Sequence, residues 1–166
     1  MSLLQFIASD EPLEEVENHY IKWMSINQAI KNGIKIENWL LDNPNIDKDN
    51  ERLVMFCDSR EHLGELEILK LDKDLAKYSE EYSCKRYFSK INWEYIDERE
   101  EQFIEYVHNH LKHSSEVEVW RIWMDEHLSP KKYRLKETEI TPKQIKKFFK
   151  QDGFYVPECM IIEKEG

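Results

Sequence analysis

Three histidines crowd the stretch VHNHLKHSSEVEVWRIW, residues 107–123, and two tryptophans follow within it. Imidazoles at this density are the raw material of a zinc or acid–base site. On an α-helix successive side chains turn by about 100°, so His108 and His110 diverge by about 200° and cannot meet on one ion. His110 and His113 share a flank with Tyr106, and two histidines alone leave a zinc site short of ligands. No HExxH spacing supplies the rest. Imidazoles in a last helical turn are also favourable beside the negative helix end when charged, which explains them without a metal. We expect no metal and no cofactor.

Other chemistry-bearing groups fare similarly. In DKDNERLVMFCD, residues 47–58, Asp47, Asp49, Glu51 and Asp58 match acidic positions of a calcium loop. The glycine such a loop needs at its sixth position is Arg52, and the residues after it read as a strand, not a helix. Cys84 has Lys85 and Arg86 beside it, which would lower its pKa if they faced it, but neighbours on a strand point to opposite sides. Cys159 sits in an apolar run and reads as core. The adjacent carboxylate pairs Glu14/Glu15, Glu80/Glu81 and Glu100/Glu101 lie on surface-like segments, without the burial that raises a catalytic carboxyl.

Trp120 and Trp123 are an odd number apart on a strand and so face opposite sides of it. One belongs with the helix-covered core, and the other faces whatever covers the second side. Tryptophan is enriched both in cores and at interfaces. Trp120, Trp123, His110 and Tyr106 are therefore the candidate ligand- or partner-binding residues, and no catalytic residue is assigned.

The elements that must position these groups follow from pattern. Pro12 sets the start of a short helix from Asp10 or Glu11, with Leu13, Val16 and Tyr20 on one side. Ser25 and Gln28 form a capping box for a helix that Gly33 stops. Residues 42–51, with Pro44 and several Asn and Asp, are a turn-rich break. LVMFCD (53–58) and LEILKLD (66–72) read as a hairpin, and residues 84–93 as a further strand. Residues 96–113 are helical, with Phe103, Ile104, Val107 and Leu111 in one stripe. Strands are expected at 116–124 and 131–139. A helix capped by Thr141, with Pro142 in its first turn, runs to Gly153, and a closing strand covers 154–162.

The fold class is thus α+β: an antiparallel or mixed sheet with helices on one face, plus an N-terminal helical segment and hairpin. Residues 84–162 follow the β-α-β-β-α-β order of a ferredoxin-like, split βαβ fold. In that fold the second strand lies at an edge and the third inside, whereas here 116–124 looks buried and 131–139 looks like an edge. We expect one domain over 1–166, with a helical piece (1–41) packed on a body (52–164). Both faces of the best strands are apolar, so the second face needs cover, from the N-terminal piece and first hairpin or from a second subunit.

A formal charge of −10 repels phosphate backbones and anionic lipid, so neither nucleic acid nor membrane is an expected partner. Lys131, Lys132, Arg134 and Lys136, then Lys143, Lys146, Lys147 and Lys150, make the one basic stripe, which reads as solvated faces of a strand and a helix. Three scattered cysteines fit a reducing, cytoplasmic setting. These features favour an acidic binding or regulatory protein that acts through protein–protein contact or self-association, not an enzyme. A small-molecule-binding enzyme on a ferredoxin-like scaffold is the alternative, and an acidic immunity- or inhibitor-like protein is a third.

Overall fold

A computed structural model describes residues 2–124, 128–150 and 156–166. The chain divides into two compact units. The first joins the residues up to Glu17 with those from Glu65 onward, and the second is Asn18–Gly64. The fold is mixed α+β.

The first unit is built on a six-stranded sheet. Its strands are β1 (Leu3–Ser9), β4 (Glu67–Lys70), β5 (Tyr87–Asn92), β6 (Glu116–Trp123), β7 (Lys131–Lys136) and β8 (Glu158–Glu163), in the order β4-β5-β1-β6-β8-β7. All neighbours are antiparallel except β7 and β8. Helices α3 (Lys73–Glu80), α4 (Glu100–Leu111) and α5 (Pro142–Phe149) belong to it. The second unit holds a two-stranded ribbon, β2 (Ile21–Met24) with β3 (Val54–Cys57), and the short helices α1 (Ile26–Lys31) and α2 (Asn38–Leu41).

Alternation along the strands sorts side chains into two cores. Ile7, Val117, Val119, Met160 and Ile162 pack against Phe103, Val107 and Leu111 of α4 and Ile145 and Phe148 of α5. On the other face, Leu4, Phe6, Trp120, Ile122, Cys159 and Ile161 meet Leu75, Ala76 and Tyr78 of α3, with Tyr82 just beyond it. The second face is therefore covered within the chain, by α3. Asp72 starts this helix by accepting from the N–H groups of Asp74 and Leu75.

Three expectations need correction. Residues 3–9 are not part of a helical piece. They form the strand between β5 and β6, because an apolar run of this length is buried on both faces of a sheet. No helix forms over 10–20, where Val16 instead bridges to Ile68 beside β4. The hairpin of 53–58 with 66–72 is absent, since β3 pairs with β2 and β4 pairs with β5. The ferredoxin-like pairing also differs: β6 lies inside, β7 lies at an edge, and β1 separates β5 from β6. Both capping motifs form as the sequence implies. Ser25 and Gln28 close the capping box of α1, Gly33 follows it at φ +73°, and Thr141 accepts from Gln144 N–H at the start of α5. Gly153, Phe154 and Tyr155 lie outside the described residues.

Candidate functional site

The helix α4 buries Phe103, Ile104, Val107 and Leu111, and its buried face widens to include Tyr106 and His110, one turn apart. Tyr106 donates its hydroxyl proton to the carbonyl of Glu14 at 2.8 Å, and burial pushes its pKa up. His110 Nε2 and Ser9 Oγ are 2.6 Å apart, and Ser114 Oγ lies 3.3 Å from Ser9 Oγ. Ser114 in turn donates to the carbonyl of Glu116. Burial lowers the His110 pKa, the charge of His113 lowers it further, and Glu11 opposes both.

A serine within hydrogen-bond reach of a histidine is the geometry of an activated nucleophile. Here Ser9 is 0% exposed and its hydroxyl also accepts from the N–H of Glu11. No substrate atom can approach it. The cluster ties the end of β1 to the last turn of α4 and to the turn entering β6, so its chemistry is structural. His108 is exposed, with Nε2 3.1 Å from the carbonyl of Glu137, and His113 is exposed as well. Among the described residues no three His, Cys, Asp or Glu side chains gather as metal ligands.

The tryptophans divide as strand alternation requires. Trp120 is 0% exposed on the α3 side. It stacks on Phe6 at 5.9 Å and meets the edge of Tyr82 at 5.9 Å. Its indole N–H donates to the buried Glu118 carboxylate at 2.8 Å, and Lys132 lies over its ring. Trp123, opposite Leu3 on β1, is half-buried on the other face. The four candidates thus fall on two sides of the sheet. Trp120, Tyr106 and His110 offer little surface to any ligand.

The acidic turn and the cysteine neighbourhood also resolve into structural roles. Asp47 accepts from the N–H of Asp49, and Asp49 accepts from the Asn27 amide at 2.7 Å. Lys85 turns from Cys84 to bridge Asp10 at 2.7 Å and Glu116 at 2.6 Å. Burial works against the Lys85 charge, but these hydrogen bonds outweigh it and raise its pKa.

Two further surfaces carry no sequence motif. One is a cleft of about 400 Å³ between β7 and α5, lined by Tyr133, Leu135, Gln144, Lys147, Phe148 and Glu158. Beside it Arg121 is 1% exposed, directly opposite Glu158 in the β6–β8 register, with its guanidinium over the Phe148 ring at 5.5 Å. Burial lowers the Arg121 pKa, and Glu158 acts the other way. Its location is legible only once β6, β8 and α5 are assembled, because nothing local marks an arginine inside an apolar strand as buried.

The other surface is in the second unit. Trp23 on β2 faces Met55 on β3 directly across the ribbon, 48% and 46% exposed. The Arg52 guanidinium lies 5.7 Å from the Trp23 ring centre. Tyr20 stacks on His62 at 3.8 Å, and Trp39 of α2 is 67% exposed. Of the twelve large hydrophobic side chains exposed among the described residues, Tyr20, Trp23, Ile30, Trp39, Leu53, Met55 and Leu63 all fall in this unit. No protein-family model, curated protein or solved structure matches the chain.

Proposed function

We propose that the protein is a binding module acting through protein–protein contact, with residues 18–64 as its contact surface. The observation that carries this reading is the concentration of exposed aromatic and apolar side chains there. Ordinary surfaces scatter such residues singly, while gathered ones mark recognition sites. Tryptophan, tyrosine and arginine are also the side chains that dominate interface energetics.

Charge distribution supports the same region. Residues 18–64 hold six Lys and Arg against seven Asp and Glu, so −9 of the chain's −10 lies elsewhere. A nearly neutral apolar surface meets a partner without the repulsion that the rest of the chain would impose on other acidic proteins. A two-stranded ribbon of this length presents far less than the ~800 Å² per partner of a stable interface. A stable partner must therefore cover Trp39 and Tyr20 as well as the ribbon, which a second ribbon packed face to face alone does not. Three free cysteines support a reducing, cytoplasmic setting.

A photo-crosslinking side chain at position 23, compared with one at position 87, tests this in native cells. Tyr87 is 42% exposed and lies in the first unit. The expected result is one discrete protein adduct from position 23 and none from position 87. Equal, diffuse labelling from both positions would overturn the reading.

A further inference from the structure

We propose that the cleft between β7 and α5 is a second binding site, which takes an extended acidic peptide segment as an added strand on β7. The proposal is independent of the surface in residues 18–64.

The first support is charge. Residues 128–150 contain eight Lys and Arg against two Glu, in a chain of net −10. Part of this charge is already matched. Arg134 pairs with Glu116 and Glu163, Lys136 with Glu163, and Lys146 and Lys150 with Asp97. Lys131, Lys132, Lys143 and Lys147 make no ion pair with the described residues. Lys143 and Lys147 stand one turn apart on α5, a spacing at which like charges repel unless an anion lies between them. Among the described residues of the cleft wall the one carboxylate, Glu158, lies opposite the buried Arg121, which offsets it.

The second support is the strand edge. Among the described residues nothing pairs with the outer side of β7. Lys131 gives its N–H to Pro157 across the ladder at 2.8 Å. Alternation then turns the N–H groups of Lys132 and Arg134 outward, while that of Lys136 is taken by the Glu139 carboxylate. An extended segment laid here gains backbone hydrogen bonds from β7. On the α5 face its apolar side chains reach Tyr133, Leu135 and Phe148, and a carboxylate in that same row meets Lys147 in the cleft wall; carboxylates turned to the other face meet Lys132. A second copy of β7 would instead bring lysine and arginine against their own kind.

Fluorescence anisotropy with the intact protein tests this. The probe is a labelled extended peptide of about ten residues with Val or Leu and one Glu in the row that faces the cleft, and Glu or Asp in the other row. The expected result is saturable, salt-sensitive binding that Lys143→Glu with Lys147→Glu weakens about tenfold or more. Lys132→Pro removes an outward N–H and should weaken binding about tenfold, whereas Lys132→Ala, which keeps the N–H and removes the side chain, should cost about threefold. Unfolding midpoints of all variants establish that they fold. No binding, binding indifferent to these variants, or equal affinity for a single-stranded oligonucleotide of matched charge would overturn the proposal.

Discussion

Ser9 Oγ and His110 Nε2 lie 2.6 Å apart, both buried and the serine fully so, joining two segments 101 residues apart in sequence. Folding holds the imidazole neutral, because burial and the nearby His113 lower its pKa below the ordinary 6.5. The unfolded chain then binds the proton first as pH falls, so this contribution is present above about pH 6.5 and is lost below it. Urea unfolding at a series of pH values should show stability falling as pH drops below that point. In His110→Gln that part of the slope should vanish, and an unchanged slope would contradict it.

Glu116 behaves in the same sense further down the scale. The hydrogen bond from Lys85 holds its pKa below the ordinary 4.5, against the opposing effect of burial, and Arg134 adds to the lowering. Its stabilising share is present above 4.5 and lost as pH falls through its depressed folded value. Glu116→Gln should be less stable than the wild type at neutral pH, and the gap should close in acid. Acid titrations of both proteins, followed by circular dichroism, check this.

Trp120 combines a large packing role with a polar one. Truncation to alanine should cost about 3–5 kcal/mol, the range for a fully buried large aromatic. Replacement by phenylalanine keeps most of the contact with Phe6 but removes the N–H donated to Glu118, a buried carboxylate. Trp120→Phe should therefore cost about 1–3 kcal/mol, the penalty of an unsatisfied buried acceptor. Adding Glu118→Leu should recover part of that loss, and chemical denaturation of the three variants measures it.

Helix α3 covers the Phe6–Trp120 face, and Asp72 supplies two hydrogen bonds at its start. Asp72→Ala should lower stability by about 1 kcal/mol. Hydrogen exchange should show the loss first in residues 73–80 and on the β1 and β6 amides beneath them.

How much of this was legible in the chain depends on whether a residue's role is local. The capping box at Ser25, the Thr141–Pro142 start and the α4 stripe are local signals, and each formed the element it implied. The opposite orientations of Trp120 and Trp123 follow from strand periodicity alone. The place of β1 in the sheet does not, because LLQFIAS pairs with residues 78 or more positions away and its neighbours leave no local trace. Helix α3 was readable: Asp72 caps it, and Leu75, Tyr78 and Tyr82 repeat at helical spacing. The candidate residues were chosen for their chemistry. Burial removed three of them from contact, and the exposed Trp23 carried no motif to draw notice.

The most direct measurement concerns the Trp23–Met55 pair. Tagged wild-type chain and the Trp23→Ser, Met55→Ser double variant would be recovered from native cells, with copurifying proteins quantified. Both residues are solvent-facing, so the variant should fold with an unfolding midpoint close to that of the wild type. The predicted result is one partner, stoichiometric with the wild type and reduced about tenfold or more with the variant, as expected when a central aromatic anchor is lost. Equal recovery with both chains would contradict residues 18–64 as the contact surface.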